Sequence, residues 1–230
     1  FEEQTAGSID FFIFSSRRTM RALIRNHQKM LIIDGDKDGG VALIGGFNMT
    51  DYYFGRKGAD SWTDMGLVMA GPAVGDLVSY YDDFKAIAHD GKARLRTVRR
   101  LLRRHAATTG AVRWVYGGPV QRLSPWSLSL KRDLQGAKRA DIVAAYFSPG
   151  RGLLKRMGLI SRNGGTMRLM LAGRSDNGTT INASRLTYKY LVKRRAQVFE
   201  YQKQCLHMKM LVIDDACYVG SANMDPRSLY

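Results

Sequence analysis

One eight-residue pattern occurs twice in this chain, and the repetition limits the folds open to it. Residues 27–34 read His27-Gln28-Lys29-Met30-Leu31-Ile32-Ile33-Asp34, and residues 207–214 read His207-Met208-Lys209-Met210-Leu211-Val212-Ile213-Asp214. Both are His-x-Lys, four apolar residues, then Asp. Small residues and an Asn follow each copy: Gly45-Gly46-Phe47-Asn48 and Gly220-Ser221-Ala222-Asn223. The chain has four histidines, and two of them sit in the copies. A duplicated half-site implies two lobes facing each other across one active site. Asp and Asn are 14 positions apart in the first copy (34 to 48) and 9 in the second (214 to 223). The extra five residues fit the turn at 36–40. A longer hairpin loop thus absorbs the difference without moving the active-site ends.

Alternate residues of a strand share a face. His27 and Lys29 therefore project together, as do His207 and Lys209. This arrangement suits a phosphodiester: an imidazole acts on phosphorus while an ammonium neutralises a non-bridging oxygen. Asn48 and Asn223 could donate to the same oxygens, and the small residues before them let the backbone approach closely. With two histidines, one serves as nucleophile and the other as general acid on the leaving oxygen. The intermediate would be a phosphohistidine, resolved by water or an alcohol. These roles call for a neutral nucleophile and a protonated acid, so coupled titration is expected. Asp34 and Asp214 lie five residues after Lys, on the opposite strand face, and are expected to stabilise the hairpin ends rather than touch substrate. No carboxylate or His spacing suggests a metal centre, and no cofactor is expected. Cys205 and Cys217 lack metal spacing and read as free thiols.

Length and composition allow one large domain or two small ones, with 230 residues and 45% apolar content. The net charge of +16 favours polyanions, either nucleic acid or an anionic lipid surface. No apolar run approaches the length of a membrane span. The chain begins with Phe1 and stops soon after the second motif, which reads as a fragment whose parent carries any membrane anchor elsewhere.

Strands are expected at 9–14, 27–34, 41–44 and 67–69, with a turn at 35–40 and a helix over 73–89. Residues 92–104 interleave seven basic residues, from Lys92 to Arg104, with Leu95, Val98, Leu101 and Leu102. Three readings stay open for this amphipathic helix: a solvated linker face, adsorption to anionic lipid with apolar residues dipping into the interface, or nucleic-acid contact. Helices at 127–138, 152–163 and 180–194 then alternate with strands at 142–147, 166–171 and 197–201, before the second His strand and its return at 217–219. Such alternation predicts a layered α/β fold. The expected lobes are 1–105 and 106–230, each a mixed sheet flanked by helices.

These residues resemble the phospholipase D superfamily, with its paired His-x-Lys-x4-Asp motifs, and bacterial cardiolipin synthases in particular. Arg25-Asn26-His27-Gln28-Lys29, Gly45-Gly46-Phe47-Asn48, Ser61-Trp62-Thr63-Asp64 and Gly71-Pro72-Ala73-Val74 follow in the synthase order. So do Ala145-Tyr146-Phe147-Ser148-Pro149 and Gly220-Ser221-Ala222-Asn223-Met224-Asp225-Pro226-Arg227-Ser228. The resemblance implies a metal-independent, two-step transfer of a phosphatidyl group to phosphatidylglycerol at a bacterial cell membrane. It assigns His27 as nucleophile and His207 as acid. It has Asp64 orient an imidazole, and puts a matching acidic residue just beyond Tyr230. Two alternatives stand beside it: a phospholipase D or nuclease that hydrolyses the same class of bond, and a non-catalytic binder of anionic membranes or nucleic acid. The intact pairs His27/Lys29 and His207/Lys209 count against the binder.

Overall fold

The two repeats fold as two β-hairpins in two separate sheets. The computed structural model describes residues 9, 26–54, 61–89, 95–106, 109–117, 124–175, 178–225 and 228. The strand expected at 9–14, Arg25, and the basic residues before Leu95 lie outside these, apart from Ile9. In the first repeat, β1 (Met30–Ile33) turns through Asp34 into β2 (Val41–Gly45). Two backbone hydrogen bonds close the turn, from Lys37 N to Asp34 O and from Gly40 N to Lys37 O. A four-residue helix, α1 (Asp51–Phe54), and a two-residue strand, β3 (Trp62–Thr63), follow; neither shows a period in sequence. Next come β4 (Gly66–Ala70), α2 (Pro72–His89) and α3 (Leu95–His105).

Among the described residues the first sheet is antiparallel, in the order β1-β2-β4. Its inner face, with Met30, Ile32, Ala42, Ile44 and Met69, packs on Val74, Leu77 and Tyr80 of α2. Val98, Leu101 and Leu102 of α3 are buried in the same cluster. The apolar side of the basic helix is thus spent on the protein's own core. It is not free to enter a lipid interface, which removes that part of the sequence reading. Arg96, Arg100, Arg103 and Arg104 remain exposed on its other side. Trp114 and Tyr116 extend this cluster past the helix, and the Trp114 indole donates to Ala73 O at 2.9 Å.

The second half begins with α4 (Pro125–Asp133), capped by the Ser124 hydroxyl accepting from Ser127 N. This helix stops before 138, because Leu134–Gly136 turns and Gly136 takes φ 82°. Then follow β5 (Arg139–Ala144), α5 (Arg151–Arg162), β6 (Thr166–Ala172), α6 (Gly178–Val192) and β7 (Gln197–Tyr201). The chain closes with β8 (Cys205–Leu206), β9 (Lys209–Ile213) and β10 (Ala216–Val219). The five-stranded sheet runs β10-β9-β5-β6-β7, mixed as expected, with β5, β6 and β7 parallel. Alternate residues Ala140, Ile142, Ala144, Met167, Leu169, Leu171, Leu211 and Ile213 form its buried face, against Trp126, Leu130, Leu153, Met157 and Leu191 from the helices.

One of the contacts between the halves sets the site. Strand β3 pairs in parallel with β8, Trp62 opposite Cys205 and Thr63 opposite Leu206. His207 N and Met208 N both donate to Thr63 O, and Gln204 Nε2 donates to Ser61 Oγ at 2.8 Å. The backbone of the second motif is therefore fastened to the residues just before Asp64.

Candidate active site

Both motifs stand at the end of their hairpin where the halves meet. The strand ladder of the first begins only at Met30, so His27 and Lys29 precede it; in the second, Lys209 opens β9. In both, the lysine folds back on its own motif. Lys29 Nζ donates to His27 O at 2.8 Å, and Lys209 Nζ donates to His207 O.

Each histidine is held by the opposite half. His207 Nδ1 lies 2.7 Å from Asp64 Oδ2. Lys209 Nζ is 3.1 Å from the same nitrogen, but a carboxylate can only accept, so the shorter contact fixes the proton on Nδ1. His27 Nδ1 lies 3.1 Å from Ser221 O; a carbonyl also only accepts, so this ring too carries its proton on Nδ1. Nε2 of each imidazole is then the nitrogen left for chemistry. Asp64 is itself set by Met65 N donating to Oδ1 at 2.8 Å.

The electrostatics are those of two imidazoles among ammonium groups. His27 keeps an exposed edge, but its ring loses hydration in the cleft. That loss, followed by the charges of Lys29 and Lys209, pushes its pKa down to about 4, against the raising effect of the Ser221 bond. His207 is buried and also lowered, first by desolvation and then by Lys209 and Lys29, while Asp64 pulls upward. Burial lowers Lys29 as well, and Asp64 opposes this. The free site therefore biases both histidines toward neutrality, rather than giving them the opposite starting states expected from their roles. The cause is the desolvation of two rings that stand beside ammonium groups, with Asp64 raising His207 alone.

The remaining sequence-derived residues divide. Asn223 is buried, and its Oδ1 has no hydrogen-bond partner among the described residues. Asn48 is exposed, so the two asparagines are not equivalent. Asp34 and Asp214 sit at the far ends of the hairpins, both left-handed, at φ 49° and 47°. Asp214 accepts from Lys138 N and Arg139 N, tying its turn to β5, whereas Asp34 pairs with Lys37 at the surface. The sequence reading gave no role to the aromatic wall of His207. Tyr53, Trp62 and Tyr146 have ring centroids 5.2, 5.5 and 6.2 Å from the imidazole. Only the clustering of Tyr52, Tyr53 and Trp62 between Asn48 and Asp64 hinted at it. A cavity of about 460 Å³ lies beside both lysines, lined chiefly by apolar residues of both halves, among them Met30, Met69, Trp114, Trp126 and Leu211. Among the described residues no group of three His, Cys, Asp or Glu could hold a metal ion.

Residues 130–230 match the family described as cardiolipin synthase, PLD-like domain. The cardiolipin synthase of Geobacillus kaustophilus is 30% identical over 239 residues, covering 100% of this chain and 46% of the relative. Cardiolipin synthase B of Salmonella typhi is 31% identical over 244 residues, covering 99% of this chain and 56% of the relative. Along its whole length the chain is thus similar to cardiolipin synthases. It spans about half the length of these curated relatives. The crystal structure of phosphatidylserine synthase from Haemophilus influenzae superposes with a TM-score of 0.53 at 13% identity, over 83% of this chain and 52% of that one. That likeness establishes the phospholipase D fold and nothing finer.

Proposed function

We propose that this chain carries the phosphatidyl-transfer centre of a cardiolipin synthase-type enzyme. It would move a phosphatidyl group from one phospholipid to the glycerol hydroxyl of phosphatidylglycerol at a bacterial membrane. Its two lobes are 1–105 and 106–230, each supplying one His–Lys pair and a partner for the other's histidine. The observation that carries the proposal is this reciprocal hold: Asp64 on His207, and Ser221 O on His27, with Nε2 free on both rings. Identity to named cardiolipin synthases across the chain supports the lipid substrate.

His27, neutral at pH 7 by virtue of its lowered pKa, attacks phosphorus through Nε2. The P–O bond to the leaving alcohol breaks, and the departing oxygen takes the proton of His207 Nε2. A phosphatidyl-histidine remains on His27. The acceptor hydroxyl then gives its proton to His207, its oxygen bonds to phosphorus, and the P–N bond breaks, restoring both rings. Lys29 and Lys209 neutralise the non-bridging oxygens, with Asn48 and Asn223 as further donors. The anionic phosphodiester offsets the two ammonium charges that depress His207. Substrate binding thereby favours the protonated acid that the first step needs.

Mass spectrometry of phosphatidylglycerol vesicles incubated with the intact protein and EDTA tests this. Cardiolipin is expected to form with the chelator present and to vanish in His27→Ala and in His207→Ala. Normal turnover in either variant would sink the two-histidine scheme, and activity restored only by added metal would sink the metal-free one. Phosphatidic acid as the sole product would assign hydrolysis instead.

A further inference from the structure

The mouth of this site carries an apolar rim that the chemistry does not use. Met49 directly follows Asn48 and is 88% exposed; Tyr52 and Phe54 of α1 are 56% and 59% exposed. Three large apolar side chains left in water within six residues would not be kept for folding. The rim is continuous with the reacting groups. Tyr52 stacks on Trp62 with centroids 5.5 Å apart, and Trp62 stands 5.5 Å from the His207 ring. Phe54 is braced edge-on against Phe47, beside Asn48.

We propose that Met49, Tyr52 and Phe54 form the surface by which the protein enters a lipid bilayer, seating the catalytic mouth at headgroup depth. The inference rests on the phospholipid reading of the site and specifies how that site reaches its substrate. The phosphate of a two-chain phospholipid lies at the interface between water and acyl chains. Groups that must reach it without extracting the lipid have to be ringed by side chains that tolerate that interface. An apolar side chain with an amphipathic aromatic beside it has this character, since tyrosine settles at headgroup level. A nucleic acid would ask for cations at the rim instead. Among the described residues a cluster of exposed cations lies on the outer side of α3, where Arg96, Arg100, Arg103 and Arg104 can add long-range attraction to an anionic surface.

The test is flotation of the intact protein with vesicles of phosphatidylglycerol and phosphatidylethanolamine, at low and high salt. Met49→Asp and Phe54→Asp are compared with Val68→Asp, on the exposed outer face of the first sheet, and with Arg100→Glu/Arg103→Glu. Each rim variant is expected to weaken vesicle binding by about tenfold, a loss that persists at high salt because it is apolar in origin. Met49→Asp removes no packing contact of a residue so exposed, so turnover of a short-chain phosphatidylglycerol below its micellar concentration should stay within about twofold. Val68→Asp should bind as the parent does, and the arginine variant should lose binding only at low salt. Unchanged vesicle binding in both rim variants would overturn the proposal, as would loss confined to Val68→Asp or the arginine variant, or binding of single-stranded DNA in place of vesicles. Rim-dependent vesicle binding without turnover of any phospholipid would uphold the surface while removing the transfer reading.

Discussion

His207 is governed by two opposed influences, and Asp64 supplies the one that keeps a proton on it. Desolvation and the lysine ammoniums lower its pKa; the Asp64 hydrogen bond and charge raise it. Because kcat/KM reports the free enzyme, its acid limb belongs to His27, which must be neutral and titrates at about 4. Its alkaline limb belongs to His207, which must be protonated and titrates below 6.5. The optimum is therefore expected on the acid side of neutrality. In Asp64→Asn the raising influence is lost, so the alkaline limb moves to lower pH, and kcat falls by about 10²–10⁴-fold for a disabled general acid. A pH profile of the variant checks both, and an unmoved alkaline limb would free His207 from the carboxylate's control. Gly46 belongs to the same arrangement. A Cβ there would stand 3.0 Å from both carboxylate oxygens of Asp64. Gly46→Ala is expected to displace that carboxylate and cost on the order of 10²-fold in kcat, with an unchanged circular dichroism spectrum. Wild-type turnover in this variant would show that Asp64 has slack.

At the scale of elements, the two hairpins are alike in sequence but not in what their aspartates do. Asp34 and Asp214 occupy equal motif positions with nearly equal left-handed φ. Asp34 makes a solvent-exposed pair with Lys37, while Asp214 receives two backbone N–H groups from the start of β5. Asp214→Ala is expected to cost about 2 kcal/mol, because two amides lose their acceptor. Asp34→Ala should cost under about 1 kcal/mol, since exposed pairs contribute little. Urea denaturation of the two variants measures the difference, and equal midpoints would refute it. Patterns with a period were legible in the sequence: α2, α5 and α6, the strands of the second sheet, and both hairpins emerged within a few residues. The end of α4 was missed because one glycine, Gly136, outweighed an apolar pattern that ran on. The ladder of β3 and β8 was illegible because two residues have no period and their partner lies about 140 positions away. The amphipathic side of α3 was visible, but periodicity reveals a face and not its occupant, which is the core cluster of Val98, Leu101 and Leu102. His27, Lys29, His207, Lys209 and Asp64 could be named from motifs; the aromatic wall and the Ser221 carbonyl could not, because both are products of tertiary contact.

At the scale of the whole molecule, the site is also the seam. Asp64 and Ser221 O each reach across to the other half's histidine, so the titration of these rings is coupled to the joining of the halves. The sign follows from their shifts. Both histidines have folded-state pKa values below the ordinary 6.5, His27 at about 4, so between those values the unfolded chain binds more protons than the folded one. Stability is then expected to be level above 6.5 and to fall as pH drops from 6.5 toward 4. Asp83, Asp141 and Glu200 are held below their ordinary values by hydrogen bonds to His105, Arg168 and Arg185 respectively, so their contributions begin to fade at the acid end of that window and add to the decline there. Thermal melts across this range should show a declining Tm for the parent protein. The double variant His27→Gln/His207→Gln, which cannot take up those protons, should give a markedly flatter curve. If the double variant declined as steeply as the parent, the acid sensitivity would lie outside the catalytic seam, and the two histidines would not be the groups whose protonation separates the halves.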